Sequence, residues 1–329
     1  MPRLDKLTDL AELERLLQQQ TAGESRNIDA EQMAEALKDR VKGQDHVVDE
    51  LVRLIKREWA KEKRKRPIAN LLFLGPTGTG KTELAKAIAE YLYGDDKAML
   101  RFDCSEFTGP EAKTRLIGTP LGYVGSGQGG QLTRPVINNP KRLILFDEIE
   151  KAYTQVMDLF LQLMGDGRLT EQGSGEVADY TQSIIILTSN AEAEAIGKLQ
   201  EEMSDYQEMV NAVKGHLSAT GKFRPEIIGR IDRVYVFKPL GGMVMAEIVA
   251  LKMSNLAKEY GLELSYVDPR LIFDAMNRGN KLKKFGIREL DREIGNMLGE
   301  HLVAAKQAGG KKIRLDIEND GVIGISPAD

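Results

Sequence analysis

Along this chain, stretches whose apolar residues recur every three or four positions alternate with short runs that are apolar throughout. Leu4, Leu7, Leu10, Leu13, Leu16 and Leu17 fall between charges at helical spacing, which predicts an amphipathic helix ahead of the polar cluster 18–27. A second helix is expected from Ile28, with Asp29 near its start and Met33, Ala36 and Leu37 on one face. These helices either pack on the chain's own body or present a docking face to a partner. An amphipathic helix over 47–59 follows. Past Pro67 the pattern changes: NLLFLG, MLRFDC, RLILFDE and SIIILTSN read as buried strands, with helices over 81–93 and 155–164 between them. Short apolar strands separated by helices predict an α/β fold, a parallel sheet flanked by helices.

Around residues 239–242 the character shifts again. Helices are expected over 243–260, 269–277 and 288–306, with LELSYV as a short strand. KIRLDIENDGVIGIS reads as a hairpin turning at Asn319-Asp320-Gly321. The expected organisation is a helical extension over 1–40, a large α/β domain over 41–239 and a small α+β C-terminal domain over 240–329. The Gly-rich segment 118–130 reads as a loop.

Composition narrows the function classes. The longest apolar runs, 71–74 and 184–187, fall far short of the ~20 residues a bilayer helix needs. The start, MPRLDKLTDL, lacks a basic-then-apolar signal pattern, so a cytoplasmic location is expected and no membrane partner. Cys104 is the single cysteine, which rules out an intrachain disulfide and suits a reducing compartment. His46, His216 and His301 are too scattered for a zinc site. Lys plus Arg total 46 against 50 acids, so no overall nucleic-acid footprint exists. The local exception is 56–66, with seven basic and two acidic residues. It reads as a solvated helix end or a basic patch, and beyond Trp59 no aromatic residue offers a stacking platform.

The chemistry is concentrated in a few motifs. Gly75, Pro76, Thr77, Gly78, Thr79, Gly80, Lys81 and Thr82 fit G-x-x-x-x-G-K-[ST], directly after a predicted strand and before a predicted helix. Glycines there let backbone N–H groups curl around phosphates, and the helix start adds its positive dipole end. Lys81 is expected to reach the β and γ oxygens of ATP, and the Thr82 hydroxyl to ligate Mg²⁺. Asp147 and Glu148 close the strand RLILFDE. A carboxylate at a strand's carboxyl end lies beside the phosphate loop of such a sheet. Asp147 is therefore assigned to the magnesium and Glu148 to polarising the attacking water. Asn190, ending SIIILTSN, offers an amide that can bond both water and γ-phosphate. Arg230 in FRPEIIGRID is the candidate arginine finger, with Arg224 and Arg233 as rivals.

Taken in order, these elements resemble the AAA+ ATPases of the Clp unfoldase family, and within it the second ATPase module of ClpA and ClpB. RLIGTPLGYVGSGQGG, LFDEIEKA, LQLMGDGRLT, LTSN, FRPEIIGRID and FGIRELDREI extend the likeness over residues 41–329, close to nine-tenths of the chain. The resemblance implies an ATP- and Mg²⁺-dependent homo-hexameric ring that pulls protein clients, some brought by an adaptor, through a central pore. Tyr123 and Val124, within Gly122-Tyr123-Val124-Gly125, would be the pore loop, and 165–179 a second pore-facing loop. Arg288 would sense the γ-phosphate from the small domain, acting as a lid. Gly43-Gln44 with Val47-Val48 would pack near the adenine.

Several positions depart from the family pattern. Leu121 stands where a proline is usual, Ser126-Gly127-Gln128 where an aromatic and acids often sit, Gln131 where an aromatic is frequent, and Tyr153 where a histidine is usual. The chain holds one ATPase module where ClpA and ClpB carry two. An ATP-gated assembly switch that acts on a dedicated partner without threading it is therefore the alternative. The nearest match to a peptidase-docking tripeptide is Ile196-Gly197-Lys198, whose lysine suits an apolar pocket badly, so no Clp-type peptidase partner is expected.

Overall fold

The computed structural model describes residues 28–281, 287–317 and 323–327, apart from 124 and 126. The helix expected over 4–17 and the turn at Asn319-Asp320-Gly321 lie outside the described residues. The chain divides into two compact units, one running to Phe237 and one from Lys238, with the short Gly75–Gly80 segment grouped with the second.

The first unit opens with α1 (Ala30–Arg40) and α2 (Asp45–Trp59). Asp29 caps α1 by accepting from the backbone N–H groups of Glu31 and Gln32 at 3.0 and 3.1 Å. Met33 and Leu37, one turn apart, are buried in the same core as Val48, Leu51 and Ile55 of α2. Residues 28–40 are thus part of the body of this unit, because their apolar face has nowhere else to be desolvated.

The central sheet is built from β1 (Ala69–Leu74), β2 (Met99–Asp103), β3 (Leu143–Asp147), β6 (Ile184–Ser189) and β7 (Arg233–Val236), in the order β2-β3-β6-β1-β7. All four pairings are parallel. β1, β3 and β6 are buried at every position, which explains their unbroken apolar runs. Alternate residues serve two cores. Leu72 and Leu74 point to the side of Phe146 and Phe160, and Leu71 and Phe73 to the side of Ile88, Tyr235 and Phe237. On the first side lie α4 (Ala112–Ile117), α6 (Thr154–Asp166) and α8 (Tyr206–Ala219); on the second lie α1, α2 and α3 (Lys81–Tyr93). The shorter helices α5 (Thr133–Asn138), α7 (Ala193–Glu202) and α9 (Pro225–Arg230) complete the unit.

Helices α4, α5, α7, α8 and α9 were not anticipated from the chain pattern, and neither were two strand features. β7 is only four residues long, and its strand character comes from pairing with β1. The segment after α6 forms a two-stranded hairpin, β4 (Arg168–Thr170) with β5 (Val177–Asp179), where a loop was expected. Gly167 ends α6 in the left-handed conformation at φ 64°, its N–H bonding to the Leu163 carbonyl.

The basic run 56–66 has structural employment. Arg64 donates to the carbonyls of Glu58 and Trp59, closing the end of α2. Arg57 and Lys61 pair with Glu58, and Arg66 pairs with Asp232 at 2.9 Å.

The second unit contains α10 (Gly242–Glu259), β8 (Glu263–Val267), α11 (Pro269–Lys281), α12 (Ile287–Gln307), β9 (Lys312–Ile317) and β10 (Ile323–Pro327). β9 pairs antiparallel with β10, as the expected hairpin requires, and parallel with β8. Val249, Met253, Leu298, Leu302 and Leu315 form its own core.

Candidate active site

The carboxyl ends of β3 and β6 and the start of α3 bring a cluster of polar side chains together. Lys81, the first residue of α3, is only 7% exposed. Its Nζ donates to Asn190 Oδ1 at 2.8 Å. Burial pushes its ammonium down to about 8, while the Asp147, Glu150 and Glu148 carboxylates pull the other way. Asn190 also donates through Nδ2 to Glu148 Oε1 at 3.2 Å, so one amide bridges the lysine and the glutamate. Its backbone N–H reaches Glu150 Oε1 at 3.3 Å.

Asp147 ends β3 and takes three donors. Arg101 Nη2 lies 2.6 Å from Oδ2, the Thr82 hydroxyl 3.4 Å from the same oxygen, and the Thr188 hydroxyl bonds Oδ1. Thr188 accepts the Glu148 N–H at 3.2 Å. Glu148 is held at φ 56°, ψ 51°, a left-handed conformation that a non-glycine residue adopts at a cost of about 1–3 kcal/mol. That turn directs its carboxylate to Asn190 and to Lys151, whose Nζ sits 2.6 Å from Oε2.

Between β1 and α3, Gly75, Gly78 and Gly80 have φ of 137°, 81° and 98°, conformations that side-chain-bearing residues rarely adopt. The donor set fits a magnesium nucleotide. A buried ammonium suits phosphate oxygens, a hydroxyl beside a carboxylate suits a hard divalent cation, and glycine conformations suit a backbone anion cradle.

The other expected residues lie elsewhere. Arg230 ends α9, with its backbone carbonyl accepting from Asn70 Nδ2 at 3.3 Å. Asn70 stands four residues before Leu74, about 13 Å along β1 from the end that leads into the glycine loop. Arg230 is therefore at the opposite end of the sheet from its own Lys81. Its rivals are otherwise engaged: Arg224 pairs with Asp158 at 2.7 Å, and Arg233 donates to the Asp232 carbonyl. Leu121 and Tyr123 are 72% and 69% exposed on the loop after α4. Val124 and the side chain of Arg288 lie outside the described residues. Ile117, which leads into the Tyr123 loop, accepts the Gln172 N–H at 2.8 Å, and Arg134 beyond it pairs with Glu176 at 3.0 Å. The loop is thus fastened to the β4–β5 hairpin on both sides.

Arg101, Glu150, Lys151 and Thr188 are the residues of this cluster that sequence reasoning missed. A charged residue inside the apolar run MLRFDC was the one available signal for Arg101.

A family model for the AAA domain (Cdc48 subfamily) matches residues 66–234, just over half of the chain. The chain belongs to the AAA+ ATPases. A torsin family model also matches residues 17–107. Among curated relatives, a chaperone protein ClpB of Oceanobacillus iheyensis is 38% identical over 90% of this chain and 38% of its own length. The negative regulator of genetic competence ClpC/MecB of Bacillus subtilis is 39% identical over 87% of this chain and 37% of its own length. A chaperone protein ClpB of Corynebacterium efficiens is 39% identical over 86% and 32%. This AAA+ chain thus spans well under half the length of these relatives. No described helix in it is long and apolar enough to cross a membrane.

Proposed function

We propose that this AAA+ ATPase hydrolyses Mg·ATP as a subunit of a homo-hexameric cytoplasmic ring and uses the cycle to pull on protein clients. The observation that carries the reading is the Asn190 bridge from Lys81 to Glu148, beside a carboxylate and hydroxyl at Asp147 and Thr82. When bound, Mg·ATP supplies a transferable phosphoryl group and an ion that neutralises charge on it. Residues 75–80 would wrap the phosphates, Lys81 would donate to their oxygens, and Thr82 with Asp147 would hold the ion. Glu148 Oε would accept the proton of the attacking water, with Asn190 Nδ2 orienting that water. Arg230 would serve a neighbour's site, because it stands at the far end of the sheet from its own. Arg288 would sense phosphate from the second unit.

Tyr123 supplies the grip. An exposed aromatic ring between Gly122 and Gly125, both with φ above 90°, can pack against any extended chain while its loop swings. Leu121 beside it broadens the apolar surface. The names of the ClpB relatives support a chaperone; clients would reach the pore directly or through an adaptor.

The test is ATP-dependent unfolding of a stable fluorescent protein bearing a disordered tail. Wild type would be run beside Glu148→Gln and Tyr123→Ala, with ATP turnover recorded in the same tubes. Loss of fluorescence with wild type alone, while Tyr123→Ala still hydrolyses ATP, is the expected result. Brisk turnover without unfolding would transfer the assignment to an assembly switch acting on a dedicated partner.

A further inference from the structure

We infer that Gly165 and Asn70 form a seat that fixes where the Arg230 guanidinium points, making them positioning residues for the finger. The inference rests on the proposed role of Arg230 and adds the residues that set its geometry.

Asn70 is fully buried in β1, a strand otherwise made of apolar residues. Its Nδ2 donates to two carbonyls, Met164 at 3.0 Å and Arg230 at 3.3 Å. A buried amide that joins the last turn of α6 to the last residue of α9 fixes the finger's backbone against the sheet. The neighbouring backbone reinforces the hold. Asp232 N–H bonds the Asn70 carbonyl at 2.8 Å, and the Asp232 carboxylate accepts the Asn70 N–H at 2.8 Å and pairs with Arg66 at 2.9 Å.

Gly165 then sets the side chain. It is the second-last residue of α6, next to the Met164 whose carbonyl Asn70 holds. A Cβ placed on Gly165 would lie 2.9 Å from both Cζ and Nη1 of Arg230 and 3.3 Å from its Nε. The guanidinium therefore occupies the space that the missing side chain leaves. That place is also the carbonyl end of a helix, where a cation is favoured. The glycine is not needed for its backbone conformation, since its φ lies outside the left-handed range. Among the described residues no carboxylate pairs with Arg230; its side chain is exposed and meets the rest of the subunit at Gly165 and the end of α6.

The seat makes a prediction in which stability and activity part. Alanine is a better helix former than glycine, and the atom that must yield to it is the far end of a flexible side chain. Gly165→Ala should therefore fold at least as well as wild type while pushing the guanidinium off its seat. Steady-state ATP turnover and thermal melting of the full chain would be measured for wild type, Gly165→Ala, Arg230→Ala and Glu148→Gln. Gly165→Ala should melt no lower than wild type and keep its KM within about twofold, yet lose kcat by roughly tenfold, with Arg230→Ala losing more. Mixing supplies the second readout. Glu148→Gln subunits hydrolyse poorly but carry a well-seated finger, so adding them should raise turnover per Gly165→Ala subunit.

Wild-type kcat in Gly165→Ala beside a crippled Arg230→Ala would overturn the seat and leave the finger intact. Wild-type kcat in Arg230→Ala would overturn the finger reading itself, and the seat with it. A Gly165→Ala protein that melts lower and is not helped by mixing would show that the glycine serves only packing.

Discussion

Burial lowers the pKa of the Lys81 ammonium in a setting that leaves it 7% exposed, and the Asp147, Glu150 and Glu148 carboxylates oppose that loss of charge. Replacing Lys81 with methionine removes the ammonium that phosphate oxygens would meet. Lys81→Met should abolish binding of a fluorescent ATP analogue while the melting temperature stays near wild type. Glu148→Gln should separate the two steps. It keeps the shape and the Asn190 contact, so nucleotide binding should persist while turnover falls by about 100-fold or more. That Lys81, Thr82, Asp147 and Glu148 would come together was legible in the sequence, because each belongs to a local pattern of fixed residue types at fixed spacing. Arg101 and Thr188 were not. They meet Asp147 only because β2 and β6 flank β3, and that order is written in no local stretch of chain.

At the level of elements, α1 and the Tyr123 loop carry the sharper expectations. Asp29→Ala strips the cap of α1 and should cost about 1 kcal/mol in urea unfolding. Leu37→Ala opens a cavity in the core shared with α2 and should cost about 2–5 kcal/mol. Gly118 begins the Tyr123 loop at φ 89°, and a Cβ there would overlap the buried Glu171 carboxylate. Gly118→Ala should therefore lower stability by about 1–3 kcal/mol and impair client unfolding more than ATP turnover. Strands buried on both faces were readable from NLLFLG and SIIILTSN, since such short apolar runs bounded by Gly or polar residues are too short for a buried helix. β7 escaped notice because four residues starting with Arg233 show no period by themselves. The β4–β5 hairpin escaped for the same reason: its short strands take their pairing from each other and from the loop they fasten.

On the scale of the whole molecule, the second unit has an apolar core of its own, centred on Val249, Met253, Leu298 and Leu315. Residues 238–329 expressed alone should give a cooperative thermal transition, checked by circular dichroism. β1 has a wider consequence. Its last residue leads into the glycines expected to wrap this subunit's nucleotide, and its second residue holds the arginine expected to reach another subunit's nucleotide. Sender and receiver are thus the two ends of one six-residue strand. In a closed ring every copy would face the same way, so each subunit would lend its arginine to one neighbour and receive one from the other. Binding would couple the two neighbours reciprocally, whereas hydrolysis, a kinetic step, could give the emptying of sites a preferred sense of rotation.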